Sequence, residues 1–374
     1  MVQTLDPRSG GVATAVLSLS EAIARQGHDV EITTLDAPDA ERPTATSLPI
    51  HALARRPQGY GYSPHLLPWL QEHGSKFDCA IVNGCWQYSG LAAWRQFAHS
   101  PVPYYVFPHG MIDPWFKRTY PLKHLKKWLY WPWAEYRVLR DARGVIFTSD
   151  AERLQARKSF SLYRARERVS PLGIETPPAG SSDEFFARFP HLRGKRIVLF
   201  LGRLHVKKGC DLLINAFEQT APDDESIGLV IAGPDQDGHE ATLRARASRS
   251  SKGDRIHFVG MLEGVVKWGA LRAADVFILP SHQENFGLSV VEALACGVPV
   301  LISKPVNIST EVQEDGAGFV DSDDLPGTAR LLQRWFSMGE AERNAMRPRA
   351  AACFAKRFEI GRAATLLLNI LRES

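Results

Sequence analysis

The chain has 374 residues, 44% of them hydrophobic and 23% charged, a balance that fits a globular protein and a length that suits two domains better than one core. Its formal net charge of +4 is too small to argue for a nucleic-acid partner. No run of about 18 apolar residues is present, so no segment is expected to span a membrane.

The first residues lack the basic flank and apolar core of a secretory signal. Cys79, Cys85, Cys210, Cys296 and Cys353 are scattered, with no pair at metal-ligand spacing, which points to free thiols and a reducing cytoplasm. Residues 1–5 are the only material for a strand ahead of Gly10-Gly11. Either the first strand of a Rossmann unit is short here, or the chain begins a few residues late. The two glycines let a backbone approach a phosphate or sugar closely, although a plain turn would use them equally well. An amphipathic helix over 14–26 follows, with Val16, Leu19 and Ile23 on one face. No G-x-G-x-x-G is present, which disfavours a dinucleotide oxidoreductase.

Strands are expected at 30–33, 79–83, 104–107 and 144–148, with a helix at 151–159. His109 and Asp113 follow the third of these strands directly. Over residues 117–140 cations and large aromatics interleave, among them Lys123, Lys126, Lys127, Trp128, Trp131 and Trp133. Aromatic rings settle at the headgroup level of a bilayer, and cations are drawn to anionic lipid, so this stretch fits a peripheral membrane contact. An ordinary helix with its aromatics in the core and its lysines in water is the alternative, and Pro132 interrupts the pattern. Residues 171–182 are rich in Pro, Gly and Ser and read as a linker.

The second half repeats the alternation, with strands at 197–201, 229–231, 256–259, 276–279 and 300–302 and helices at 212–219 and 328–335. Continuous apolar strands separated by helices indicate parallel sheets covered on both faces, so the class is α/β, built twice. The first of these strands leads into Gly202-Arg203-Leu204-His205-Val206-Lys207-Lys208-Gly209. A guanidinium grips a diphosphate bidentately and a lysine adds a point charge, so Arg203 and Lys208 could neutralise a leaving diphosphate without a metal. Solvated surface cations are the alternative. Asp235 and Asp237 superficially resemble a metal-binding pair, but a polar turn explains them better, and no metal is expected.

After the strand at 276–279 comes Pro280-Ser281-His282-Gln283-Glu284-Asn285-Phe286-Gly287, then a helix expected over 286–296 that Gly297 and Pro299 end. The helix is apolar nearly all round and should be buried. Glu292 stands out on it, because Leu288, Ser289, Ala295 and Cys296 at helical spacing offer no cation. A buried carboxylate needs donors, which a ribose diol would supply. Glu284 sits just beyond the C-terminal edge of the strand, where open α/β sheets bind ligands, and Phe286 and Gly287 offer amides at a helix N-terminus. Two glutamates that cap a helix or pair with distant arginines are the alternative. A final helical pattern covers 357–371 with no strand after it.

Gly202-Arg203-Leu204 with Lys208-Gly209, then Pro280-Ser281, Glu284-Asn285-Phe286-Gly287 and Glu292-Ala293, resemble glycosyltransferase family 4. The likeness extends to Gly10-Gly11, to residues 168–175, to Phe258-Val259-Gly260 and to residues 307–320, so it covers essentially the whole chain. Leu172 stands where that family commonly has asparagine. The resemblance implies a GT-B architecture in which two Rossmann-like domains face each other across a cleft. These would be an acceptor-binding domain over 1–175, with the last helix (about 357–374) packing back on it, and a nucleotide-sugar-binding domain over 180–356.

Carried over residue by residue, the resemblance gives Arg203 and Lys208 the donor diphosphate, and Glu284 the sugar hydroxyls beside the amides of Phe286, Gly287 and Leu288. Glu292 would take the ribose, the backbone at Met261 and Leu262 the base, and Gly10 and Gly11 would approach the donor. His109 resembles the family's first-domain histidine that faces the donor sugar, a structural histidine at a strand end being the alternative. Asp113 is a candidate for acceptor contact.

The implied activity is retaining transfer of a hexose from a UDP- or GDP-linked donor to a saccharide or lipid-linked saccharide, without a metal, in bacterial cell-surface or exopolysaccharide synthesis. The enzyme would be cytoplasmic, or peripheral on the cytoplasmic face of the membrane. A retaining glycosidase would want two carboxylates about 5–5.5 Å apart, which a loop glutamate and one two turns along a helix fit poorly. A nucleotide-sugar epimerase or sugar phosphorylase would share the architecture but not the motif set. An inactive nucleotide-sugar-binding subunit would be expected to have lost some of Arg203, Lys208, Glu284, Glu292 and His109.

Overall fold

The computed structural model describes residues 1–6, 10–40, 46–53, 59–235 and 238–373. The chain divides into two compact units, Met1–Glu175 with Glu359–Ser374, and Thr176–Phe358.

In the first unit the strands are β1 (Ile32–Thr34), β2 (Ile50–Ala52), β3 (Ala80–Asn83), β4 (Tyr104–Phe107), β5 (Gly144–Phe147) and β6 (Glu167–Val169). All of the pairings are parallel, in the orders β1-β2 and β3-β4-β5-β6. The opening residues join the two pieces. Val2 bridges Thr34 on one side, and the amide of Asn83 donates to the Met1 carbonyl at 2.9 Å on the other. Residues 1–3 thus lie between β1 and β3, where the first strand of the Rossmann unit is expected, and make an isolated bridge there. Tyr104, Tyr105, Val106 and Phe107 are all buried, as are the residues of β5, because helices cover both faces.

Helix Gly11–Arg25 buries Ala15, Val16, Leu19 and Ile23. The last helix, Ile360–Arg372, packs against it through Ala363, Ala364, Leu367 and Leu368. Gln26 Nε2 donates to the Gly361 carbonyl at 2.8 Å. Each buried leucine or isoleucine here contributes roughly 1.5–3 kcal/mol. The helical pattern expected from 357 is two helices. One runs Glu340–Arg357, and the next starts at Ile360 because the Glu359 carboxylate accepts the amides of Gly361 and Arg362 and so caps a new N-terminus. Gly173 lies against the start of this helix. A Cβ there would lie 2.7 Å from Ile360 Cα.

The second unit holds β7 (Arg196–Leu201), β8 (Ile227–Ala232), β9 (Ile256–Gly260), β10 (Ala274–Leu279), β11 (Val300–Ser303) and β12 (Gly318–Asp321). They form one parallel sheet in the order β12-β11-β10-β7-β8-β9. Register runs Phe277 beside Leu199 and Val300, and Val198 beside Leu229. The core strands β7, β8, β10 and β11 are buried nearly throughout. Strand order reverses between β7 and β10, and a crevice opens beyond the carboxyl ends of strands at such a switch point. The segments that leave β7 and β10 are therefore the ones brought together, and they carry Arg203 to Gly209 and Pro280 to Gly287.

Candidate functional site

The two segments meet through backbone. Gly209 takes φ +67° and caps the helix Cys210–Thr220, and a Cβ on it would stand 2.3 Å from the Pro280 carbonyl oxygen. Only glycine lets these loops close on each other. The contact is reinforced where the Lys207 carbonyl accepts the His282 amide at 2.8 Å and the Ser281 hydroxyl at 3.0 Å. On the far side, the Glu284 amide donates to Pro305 O at 3.1 Å and the Asn307 amide donates to Glu284 O at 3.0 Å. Glu284 is held from two directions before its side chain makes any contact.

That side chain forms an ion pair with the Lys208 ammonium, and both groups are largely buried. Burial opposes the charge on Glu284, but Lys208, Lys207 and Arg203 outweigh it and hold the carboxyl below its ordinary range. The result is a carboxylate ionised at physiological pH, set among three cations. Arg203 is exposed, at the solvent end of the group.

Gly287, at φ +75°, is the N-cap of helix Leu288–Ala295, which begins two residues later than the sequence pattern suggests. The amides of Val290 and Val291 donate back to the Gly287 carbonyl at 2.8 and 3.1 Å, so the amides of Phe286, Gly287 and Leu288 lie at the open end of the helix. This is an arrangement suited to an anion. Val290, Val291, Ala293 and Leu294 are fully buried.

Glu292 departs from expectation. Its side chain is as buried as that of Glu284, at 17% exposed, but it has a cation partner, Lys267 Nζ at 2.7 Å from Oε1. Lys267 lies 25 positions earlier on helix Gly264–Ala273, so a search at helical spacing around Glu292 misses it. Met261 and Leu262 immediately precede that helix. Met261 is exposed and Leu262 is buried. Asp235 is engaged at a helix start, its carboxylate accepting the amides of His239 at 2.9 Å and Glu240 at 3.2 Å. Asp237 lies outside the described residues.

His109, Asp113, Gly10 and Gly11 belong to the first unit. His109 is buried and left-handed, with φ +50°, a backbone state that costs a residue with a Cβ about 1–3 kcal/mol and concentrates at functional sites. Its Nε2 meets Asn83 Oδ1 at 2.9 Å, and its ring stacks on Phe107 with centroids 5.1 Å apart. Burial pushes the imidazole down to about 4, so it is a neutral hydrogen-bonding ring at physiological pH, not a cation. Its Nδ1 is buried with no hydrogen-bond partner among the described residues.

The buried Glu152 fixes the turn by accepting the Gly110 amide at 2.6 Å and both the amide and hydroxyl of Thr148 at 2.7 Å. Ser149 and Glu152 stand at capping-box spacing, the one sequence signal that could have singled out Glu152. Asn83 carried no signal beyond its place at a strand end. The Asp113 carboxylate accepts the Trp115 amide at 2.7 Å, at the start of helix Trp115–Thr119. Gly10, at φ +105°, caps helix Gly11–Arg25, and a Cβ on it would meet open space.

Known proteins resemble the chain along its whole length. The family described as glycosyl transferases group 1 matches residues 181–352, and the one described as glycosyl transferase 4-like domain matches residues 10–173. The D-inositol 3-phosphate glycosyltransferase of Xylanimonas cellulosilytica is 28% identical over 399 residues, covering 98% of this chain and 92% of the relative. The GDP-mannose-dependent alpha-(1-6)-phosphatidylinositol dimannoside mannosyltransferase of Mycobacterium tuberculosis is 26% identical, covering 84% and 81%. Among solved structures, the Anabaena protein HepE, in complex with UDP and glucose, superposes with a TM-score of 0.76 at 17% identity, covering 100% of this chain and 98% of its own. With its two halves matched in order, and with cations and a glutamate meeting at the switch point of the second sheet, the chain belongs to glycosyltransferase family 4, a nucleotide-sugar glycosyltransferase with the GT-B fold.

Proposed function

We propose that the protein transfers a hexose, with retention, from a UDP- or GDP-linked donor to a saccharide or lipid-linked saccharide at the cytoplasmic face of a membrane, in the synthesis of a bacterial surface or exported polysaccharide. The observation that carries the donor reading is the meeting of Arg203, Lys207 and Lys208 around Glu284 beside a helix N-terminus. Charge builds on the diphosphate as the bond from the sugar C1 to the phosphate oxygen breaks. Fixed cations and amide dipoles stabilise that charge without reorganising.

In this reading Glu284 accepts hydroxyls of the donor sugar, Glu292 those of the ribose, and the backbone at Met261 and Leu262 borders the base. Gly10 and Gly11 approach the donor, and the neutral His109 donates or accepts a hydrogen bond at the sugar. The acceptor oxygen bonds to C1 on the face that the phosphate leaves, and its proton passes to the departing phosphate oxygen. Asp113 is proposed on the acceptor side. No metal enters these steps. HepE was solved with UDP and glucose and the mycobacterial relative is named for GDP-mannose, which is why both bases stay in the proposal.

Thermal-shift measurement with UDP, GDP and their sugars in excess EDTA tests the reading. A nucleotide at a hundred times its Kd stabilises by about 2.7 kcal/mol, which should raise the Tm of a unit this size by roughly 5–10 °C. No shift with any nucleoside diphosphate would overturn the donor assignment. Transfer that stops in EDTA and returns with Mg²⁺ or Mn²⁺ would overturn the metal-free mechanism.

The membrane reading rests on residues 117–140. Helix Pro121–Tyr130 leaves Leu122, Leu125 and Leu129 exposed at 79%, 60% and 69%, with Trp128 and Trp133 also exposed. Trp131 and His124 turn into the core instead, so leucines make up more of the open face than the sequence suggested. Lys117, Arg118, Lys123 and Lys126 are exposed on the same stretch. Exposed leucines and tryptophans interspersed with exposed cations suit an anionic bilayer, and each cation near such a leaflet adds about 1 kcal/mol. Among the described residues no helix is long and apolar enough to cross a membrane. The protein is expected to sediment with vesicles containing anionic lipid at low salt, and Lys123→Glu with Lys126→Glu and Leu125→Glu should release it. Wild-type protein that ignores such vesicles would leave a soluble saccharide as the acceptor.

A further inference from the structure

We propose that Lys267 is a donor-binding residue that shares the recognition of one ribose hydroxyl with Glu292. The proposal rests on the assignment of Glu292 to the ribose, and it deepens that assignment.

Lys267 Nζ stands 2.7 Å from Glu292 Oε1, and the two side chains are 23% and 17% exposed. A pair built only to lock two helices together would be expected to seal itself off. This one keeps an open side, on a face of helix Leu288–Ala295 where Leu288, Ser289 and Ala295 are likewise only partly buried. The Lys267 ammonium also lies 4.5 Å from the centre of the Trp268 ring, which holds the long side chain without using up its donors. Lys267 sits in the first turn and a half of helix Gly264–Ala273, five positions after Leu262. Its place in the chain is therefore between the proposed base-binding backbone and the proposed ribose carboxylate.

The chemistry of the pair matches the ligand. A hydroxyl both donates and accepts, whereas a carboxylate only accepts and an ammonium only donates. Glu292 alone would satisfy the hydrogen of a ribose hydroxyl and leave its oxygen without a donor. With Oε1 turned to Lys267, the second carboxylate oxygen takes the hydroxyl hydrogen, and one of the three ammonium hydrogens reaches the hydroxyl oxygen. The pair thus presents an acceptor and a donor side by side, the two roles that a single hydroxyl requires. A nucleotide lacking that hydroxyl leaves both groups facing each other and nothing more.

Calorimetric titration of the full-length protein with UDP and GDP and with their 2′-deoxy and 3′-deoxy forms tests this. Wild-type protein should bind the ribonucleotide roughly tenfold or more tighter than one of the deoxy forms. Lys267→Met should erase most of that preference by weakening the ribonucleotide and sparing the deoxy form. Lys267→Arg should restore part of it. Thermal melting of each variant checks that the unit is folded. A Lys267→Met protein that loses the same affinity for all forms would show that Lys267 acts only by holding the helices, and would overturn the proposal. So would one that keeps the wild-type preference. A wild-type protein with no preference among the forms would instead overturn the ribose assignment of Glu292, and this inference with it.

Discussion

Replacing Glu284 with alanine is expected to lower kcat by roughly two to three orders of magnitude, the loss typical when a charged group stops stabilising a transition state. Binding of the nucleoside diphosphate should survive or tighten. The asymmetry follows from the charges around the residue. Glu284 neutralises part of the positive field of Lys208, Lys207 and Arg203. Without it, those cations face the diphosphate undiluted, while the sugar hydroxyls lose their acceptor and the reacting carbon its alignment. Glu284→Gln keeps the shape and one acceptor and should fall between the two. Measured kcat and Kd separate the effects. A kcat within threefold of wild type would remove Glu284 from the donor sugar, and a lost Kd would mean that its main work is to order the Lys208 loop.

Gly209→Ala is expected to damage stability and donor binding together. The new Cβ would meet a backbone carbonyl oxygen at 2.3 Å, on a residue already left-handed at φ +67°. Backbone cannot swing aside as a side chain can, so the loops after β7 and β10 must part. A cost of about 3 kcal/mol lowers the Tm of a unit this size by roughly 6–12 °C. Gly194→Ala is the control. Its φ is +82° but its Cβ would meet nothing within 4 Å, so only the conformational cost of about 1–2 kcal/mol applies. Donor affinity should drop for Gly209→Ala and hold for Gly194→Ala. Equal effects from the two would mean that the contact with Pro280 does not matter.

The strands that the sequence reading missed share a physical reason. β2, β6 and β12 all end a run of paired strands. Ile50-His51-Ala52 is half-buried along its length, and Glu167-Arg168-Val169 carries two charges in three residues. An edge strand touches the core on fewer sides, so it need not be apolar and resembles a loop. The inner strands, with neighbours on both sides and helices above and below, have no such freedom and read as apolar runs. The fourth edge, β9, was legible because Ile256, Phe258 and Val259 keep it apolar.

Legibility within the site divides in a similar way. Glu284 and Lys208 could be found because each lies in a loop just past a readable strand, and the topology of parallel sheets brings such loops together. The partner of Glu292 could not, because helical spacing reports neighbours on one helix and Lys267 comes from another. His109 was legible only through family likeness. The buried Asn83 and Glu152 that hold its turn are ordinary residues in sequence, and only folding shows what they do.

The chain enters and leaves the second unit at adjoining points. Ile174 bridges Glu359, and the Ile360 amide donates to the Ile174 carbonyl at 3.1 Å, so the two crossings lie side by side. In effect Thr176–Phe358 is a cassette inserted into the first unit near its end. This has a consequence for synthesis. A chain emerging from the ribosome presents all of the cassette before the helix Ile360–Arg372 exists to cover the apolar face of Gly11–Arg25. The cassette can finish folding while the first unit still waits for its last piece, with Val16, Leu19 and Ile23 open to other hydrophobic surfaces. Truncation at the end of the chain therefore strikes the unit that was made first.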